Sequence, residues 1–345
     1  MKLADFDYFL PPGLIAQQPL ERRDASRLLV VHRQSGRLEH RSFEDFPSYP
    51  APGDAVVVND TKVVPVRLLC RRSPGGGRTE LFLLSKVAPH CWRALARPRA
   101  RLRPGTVVLI GDWVTATIER LEAQTVLVRF PEEVDVLEVL EQWGRMPLPP
   151  YVGRDELDPE QARLDRERYQ TVYAASPGSV AAPTAGLHFS PRLLRALDER
   201  GVSLCTVTLH VGYGTFQPIR SRRVEDHAMH AELAVVPAQT VARLRACRAR
   251  RGTVWVVGTT TVRALESAGR QGDLSPFRGA TDLFIYPGHH FTCTDHLLTN
   301  FHLPRSSLFI MVCAFAGREL MLRAYHEAIG ERYRFYSFGD AMLII

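Results

Sequence analysis

Between residues 67 and 130 the chain reads as a run of short strands with no helix among them, and this stretch limits the fold more than any other. Apolar segments at residues 80–85, 92–96, 107–110, 114–120 and 125–130 are separated by turn signals at Pro74 to Gly77, Pro104-Gly105 and Gly111-Asp112. Strands this short and closely spaced close into a small barrel or sandwich. The segment is therefore expected to be its own all-β module. On either side the pattern differs. An apolar strand at 55–59 runs into the polar turn Asn59-Asp60-Thr61-Lys62 and then a second strand through 63–69. Beyond a helical stretch at 134–143, the Pro-rich run 146–151 and the charged residues to 168 read as a crossing between domains. Mixed α/β signals follow, with helices at 191–200 and 239–251 and strands at 202–211 and 253–257.

The β module also carries the charge. Of a net +7 over 345 residues, residues 67–130 hold twelve Lys and Arg against four Asp and Glu, so the rest is close to neutral. Clustered guanidinium groups displace counterions from a nucleic-acid backbone, which points to a phosphate-rich partner. Within the module Arg97, Arg99, Arg101 and Arg103 alternate with other residues. An extended run would put all four on one face, successive groups about 6.6 Å apart, to track RNA phosphates. A solvated edge strand guarded by charge is the other reading.

The longest apolar run, 308–316, falls short of the roughly 20 residues that cross a bilayer, and reads as a buried core element. Asp5 and Asp7 interrupt the N-terminus where a secretory leader would be apolar, so a cytoplasmic protein is expected. Six scattered cysteines without a Cys-x-x-Cys pair argue against both a disulfide framework and a thiolate metal site.

Small residues and two histidines crowd residues 179–216. The run from Gly178 to Phe189 includes Thr184 and Gly186 and ends in His188-Phe189, where small residues let a ligand approach the backbone. His210 then closes a strand and precedes a Gly-rich turn containing Thr215 and Phe216. Either histidine alone reads as a structural one, whereas the two beside glycine loops make an acid/base pair. His227, His230 and Glu232 resemble a metal-ligand spacing. However, positions i, i+3 and i+5 do not share a helix face and no cysteine lies nearby, so a hydrogen-bonded cluster and no metal is expected. The strand before Gly258 leads through Thr259 and Thr260 into a helix beginning near Val262, with Arg263 in its first turn. Such an N-terminus suits a carboxylate or phosphate, and threonine N-capping is compatible with it.

Several of these motifs together resemble the S-adenosylmethionine:tRNA ribosyltransferase-isomerase family of queuosine biosynthesis. They include Asn59-Asp-Thr61, Pro147-Leu-Pro-Pro-Tyr151, Val180-Ala-Ala-Pro-Thr-Ala-Gly-Leu-His-Phe189, Val207-Thr-Leu-His-Val-Gly212, Gly214-Thr-Phe216, Asp226-His-Ala-Met-His230, Val257-Gly-Thr-Thr260 and Thr299-Asn-Phe-His-Leu-Pro304. Lys62, Tyr213 and His289-His290 are small departures. The resemblance implies a mixed α/β catalytic domain, residues 1–66 and 151–345, split by an inserted β-barrel at 67–150. It implies S-adenosylmethionine as co-substrate, whose ribosyl part moves onto 7-aminomethyl-7-deazaguanine at the tRNA wobble position and is isomerised to give epoxyqueuosine, adenine and methionine. A methyltransferase would share the co-substrate, but no strand leads into a G-x-G-x-x-G-like turn.

For that chemistry His188 and His210, with His230 as a third candidate, are the expected proton carriers. Asp60 is expected to hold the substrate amine, and Gly258, Thr259, Thr260 and Arg263 the methionine carboxylate. Phe189, Phe216 or Tyr286 would face the sulfonium or adenine. Thr184, Gly186, Thr215, His227 and Glu232 would wall the pocket. The partner is tRNA, bound by the barrel arginines, and the chain is expected to be monomeric.

Overall fold

The computed structural model describes residues 1–154, 158–216, 219–270 and 272–345; the side chains of Thr215 and Phe216 lie outside the described residues. The chain opens with strands β1 (Arg27–Val31), β2 (Leu38–Ser42), β3 (Ala55–Asn59) and β4 (Thr61–Val63). Then come β5 (Arg67–Ser73), β6 (Arg78–Ala88), β7 (Cys91–Arg97), β8 (Val107–Ile110), β9 (Val114–Leu121) and β10 (Val126–Arg129), followed by helices α1 (Val136–Trp143) and α2 (Pro159–Arg168). The remainder runs β11 (Ser176–Ser179), α3 (Pro191–Glu199), β12 (Ser203–Leu209), β13 (Glu232–Val236), α4 (Ala238–Ala249), β14 (Val254–Val257), α5 (Thr259–Ala268), β15 (Phe277–Thr281), β16 (His296–Asn300), α6 (Ser307–Ala316), α7 (Arg318–Gly330) and β17 (Ala341–Ile344). Two compact units result. One comprises residues 1–62, 150–153 and 170–345, the other 63–149 and 154–169.

The larger unit is built on a nine-stranded mixed sheet ordered β15-β13-β12-β3-β14-β16-β17-β1-β2. Its centre is parallel: β3 pairs in parallel with β12 and β14, and β14 with β16. A strand covered on both faces reads as a near-continuous apolar run, and β3, Ala-Val-Val-Val-Asn, is buried along its whole length, its closing Asn59 included. Ala55 and Val57 pack with Val207, Val241 and Val262 on one face, and Val56 and Val58 with Phe46, Phe189 and Leu193 on the other. The apolar run expected to be buried forms α6, capped by Ser306, whose hydroxyl accepts from Phe309 N at 3.1 Å. Among the described residues no helix is long and apolar enough to cross a membrane.

The smaller unit is a closed six-stranded barrel, ordered β10-β7-β6-β5-β8-β9 with antiparallel neighbours. Alternate side chains fill it, among them Leu68, Leu81, Leu83, Ala94, Val108, Ile110, Ile118 and Val128, all buried. Residues 154–169 cluster with this unit: Arg154 makes a forked ion pair with Asp165, and Arg166 donates 2.6 Å bonds to the carbonyls of Glu141 and Gly144.

The extended arginine row at 97–103 is not there. Strand β7 stops at Arg97, since Pro98 has no N–H for the ladder, and residues 99–101 turn as a single 3-10 step before buried Leu102. Arg99 donates to the Glu122 carbonyl, and Arg103 to those of Ala100 and Leu102 at 3.0 and 2.7 Å. The four side chains therefore lack a common period-two face, while Arg97, Arg101 and Arg103 remain exposed.

Candidate active site

Four parallel strands of the large sheet, β12, β3, β14 and β16, end at one edge, and most of the motif residues follow their C-terminal ends. Crevices at the carboxyl ends of parallel strands are where open α/β sheets bind ligands. After β3 comes Asn59-Asp60-Thr61, after β12 His210, after β14 Gly258 and helix α5, and β16 closes with Asn300.

Asn59 ties three of these ends together. Fully buried, it accepts from Leu209 N and Thr61 N at 3.0 and 3.1 Å through Oδ1, and donates through Nδ2 to Leu209 O and Thr260 Oγ1 at 3.0 and 3.1 Å. An amide side chain supplies donor and acceptor at once, which is what bridging two strands and a helix start requires. Next to it, half-buried Asp60 accepts a 2.6 Å bond from Thr208 Oγ1.

His210 is half-buried, its Nδ1 lying 2.7 Å from Thr61 Oγ1. The imidazole rests on the backbone of Gly178, where a Cβ would stand 3.0 Å from Cε1, Nδ1 and Nε2 alike. Burial lowers the pKa of this ring, opposed by the charge of Asp60. His188 differs on each point. It is 4% exposed, stacks on Phe43, and has both ring nitrogens engaged, Nδ1 with Ser26 Oγ at 2.7 Å and Nε2 with Asn300 Nδ2 at 3.2 Å. Since the Asn300 amide is a donor, Nε2 accepts and the proton sits on Nδ1. Burial, with Arg334 and Arg23 adding to it, pushes its pKa down to about 3.

Helix α5 starts at Thr259, three residues before the point read from the sequence, behind Gly258 at φ +88°. Glycine offers no side-chain cap, so the first amides of α5 carry none, while the Thr261 hydroxyl donates to Val257 O at 2.5 Å. The earlier start moves Arg263 into the second turn and into the core. Only 3% exposed, it forms an ion pair with Glu232 and donates to Leu283 O and Thr281 O at 3.0 and 3.4 Å. Glu232 also accepts from Gly212 N at 2.7 Å. The pair thus pins the turn after β12 to α5.

The remaining expectations separate. His227 meets Phe284 edge-on at 5.0 Å, and Tyr286 lies against the same Phe284 at 5.6 Å. His230 is exposed beside the Gly214 backbone. Among the described residues no group of three His, Cys, Asp or Glu is placed to hold a metal ion. Phe189 is fully buried, edge-on to Phe43 and Phe46, which makes it a core residue. Thr184 opens the 3-10 turn Thr184–His188, and Gly186 within it lies where a Cβ would overlap the Tyr173 hydroxyl. Thr215 and Phe216 belong to the turn Tyr213–Phe216, with their side chains outside the described residues. Asn59 and Thr61 were read from the sequence only as part of the polar turn 59–62 and given no role of their own, and Gly178, Ser26 and Asn300 were not singled out as site residues. The polar triplet after an apolar strand was the available signal for the first two.

A family model described as queuosine biosynthesis protein matches residues 3–344. The chain is 50% identical to a protein of Pelotomaculum thermopropionicum and 49% identical to one of Geobacter metallireducens, over the full length of all three; both are named S-adenosylmethionine:tRNA ribosyltransferase-isomerase. It also resembles the crystal structure of an S-adenosylmethionine tRNA ribosyltransferase from Thermotoga maritima, with 37% identity and a TM-score of 0.57 over 99% of this chain and 100% of that one.

Proposed function

This chain belongs to the queuosine biosynthesis protein family, and from that premise we propose that it moves the ribosyl part of S-adenosylmethionine onto 7-aminomethyl-7-deazaguanine at the wobble position of tRNA. The sugar is isomerised to the epoxycyclopentanediol of epoxyqueuosine, and adenine and methionine leave. The observation supporting a reactive centre at the sheet edge is the convergence of Asp60, His210 and the uncapped start of α5, all tied through Asn59 or its neighbours.

The reaction needs a proton taken from the 5′-carbon beside the sulfonium, another from the attacking amine, and stabilisation of the departing adenine. Asp60 has one carboxylate oxygen held by Thr208 and the other without a partner among the described residues, which suits it to receive protons or hold the amine. The free Nε2 of His210 serves the sugar or the adenine. His188, with both nitrogens engaged, positions the 184–188 turn against Asn300. The amides of Thr259 and Thr260 take the methionine carboxylate, and Arg263 supports them through Glu232. A wobble nucleotide lies in a single-stranded loop and splays into a pocket without breaking a duplex; exposed Arg97, Arg101 and Arg103 supply phosphate contacts. The enzyme acts in the cytoplasm.

Incubation with S-adenosylmethionine and precursor tRNA tests this reading. Adenine and methionine in equal amounts are expected; S-adenosylhomocysteine instead would make the chain a methyltransferase and overturn it.

A further inference from the structure

We propose that Thr61 fixes His210 in the neutral tautomer carrying its proton on Nε2, so that His210 meets the substrate as a hydrogen-bond donor and not as a base. The inference deepens the reading above and rests on His210 lying in the reactive centre.

The argument begins with one hydrogen atom. Thr61 is fully buried, and its hydroxyl has one partner among the described residues, His210 Nδ1 at 2.7 Å. A threonine hydroxyl holds a single hydrogen with two lone pairs. Were it to accept from Nδ1–H, its own hydrogen would be left buried with no protein acceptor among the described residues. Donation to the Nδ1 lone pair satisfies both groups. The proton of the neutral ring then sits on Nε2, because the hydrogen bond at one imidazole nitrogen sets the state of the other.

Gly178 keeps the ring from escaping that choice. The three equal 3.0 Å distances from its Cβ position mean that bare backbone lies flat under the imidazole. At φ +147° the position also disfavours every L side chain. With one face covered and Nδ1 tied, Nε2 is left without a protein partner among the described residues. Burial lowers the pKa of the ring despite Asp60, which keeps it neutral at physiological pH.

A neutral imidazole in this state has no lone pair to offer at Nε2. It cannot take the proton of the 5′-carbon, and that task falls to Asp60. What His210 offers is an N–H aimed at an atom that gains negative charge, the departing adenine nitrogen or a sugar oxygen. No proton leaves the ring in the step, so Nδ1 needs no compensating transfer from Thr61. Thr61 is thus a positioning residue acting through His210.

Histidine-labelled enzyme at neutral pH, read by two-bond 1H–15N correlation, gives the tautomer directly, with His210 assigned by its loss in His210→Gln. Wild type and Thr61→Ser are expected to show Nε2–H, and Thr61→Val a mixture or the Nδ1–H form. Turnover by Thr61→Val is expected to fall about tenfold or more in kcat, while KM for S-adenosylmethionine changes little and Thr61→Ser keeps most activity. An Nδ1–H form in wild type, or an unaltered tautomer in Thr61→Val, would overturn the proposal. Full turnover by His210→Gln would instead sink the functional reading and leave the tautomer result standing.

Discussion

Acidification from pH 7.5 to 5.0 should weaken the α/β unit by about 4 kcal/mol through two histidines alone. Burial holds the pKa of both His188 and His302 down at about 3, against an ordinary 6.5, with Arg334 and Arg23 reinforcing it at His188. Both rings are nearly sealed, at 4% and 7% exposure, and hydrogen-bonded in the neutral form, His302 Nε2 to Thr299 Oγ1 at 2.8 Å. In the unfolded chain each takes up a proton as the pH falls through 6.5, whereas in the folded chain neither does until about 3. The unfolded state therefore binds more protons across that window. Stability is fully present above it and is lost as the pH falls through it. At pH 5.0, 1.5 units below the ordinary imidazole value, the loss is about 2 kcal/mol per ring. Urea unfolding followed by far-ultraviolet circular dichroism at the two pH values gives the wild-type change, and His188→Gln/His302→Gln gives the change without these rings. Carboxylate contributions are common to both and cancel. A difference under about 1 kcal/mol between wild type and double variant would refute the buried neutral imidazoles.

Three further outcomes follow from the geometry. Glu232→Gln leaves Arg263 buried without its counter-charge and should cost about 3–5 kcal/mol, measured by urea midpoint, whereas Glu232→Leu with Arg263→Met should cost less. Gly186→Ala drives a Cβ into the Tyr173 hydroxyl, which should cost about 1–3 kcal/mol in thermal unfolding and be partly relieved by Tyr173→Phe; no relief would place the clash elsewhere. Arg97→Glu with Arg101→Glu should weaken tRNA affinity and flatten its dependence on salt, read by filter binding across a salt series, and unchanged binding would return these residues to solvation alone.

The sequence by itself determined many of the local elements. Strands 55–59 and 107–110 are bounded as their apolar runs predict, because a fully covered strand tolerates no polar interruption and turn residues mark its ends. An all-β module was legible for the same reason, since short strands and their turns encode themselves within a few residues, whereas its closure into a barrel rested on the family resemblance. The placement of His210 at a strand end before a glycine-rich turn was legible too. What stayed hidden depended on partners distant in the chain. Nothing near Arg263 shows that Glu232, 31 residues away, will neutralise it in the core, nor that Ser26 and Asn300 will close around His188 and engage both its ring nitrogens. The arginine row failed locally, since Pro98 breaks the ladder that period-two reading assumes. Residue types at a spacing decide which chemistry is available. Only burial and long-range hydrogen bonds decide which of two similar histidines keeps a free nitrogen, because the cost of a charge and the identity of its partner are properties of the packed surroundings.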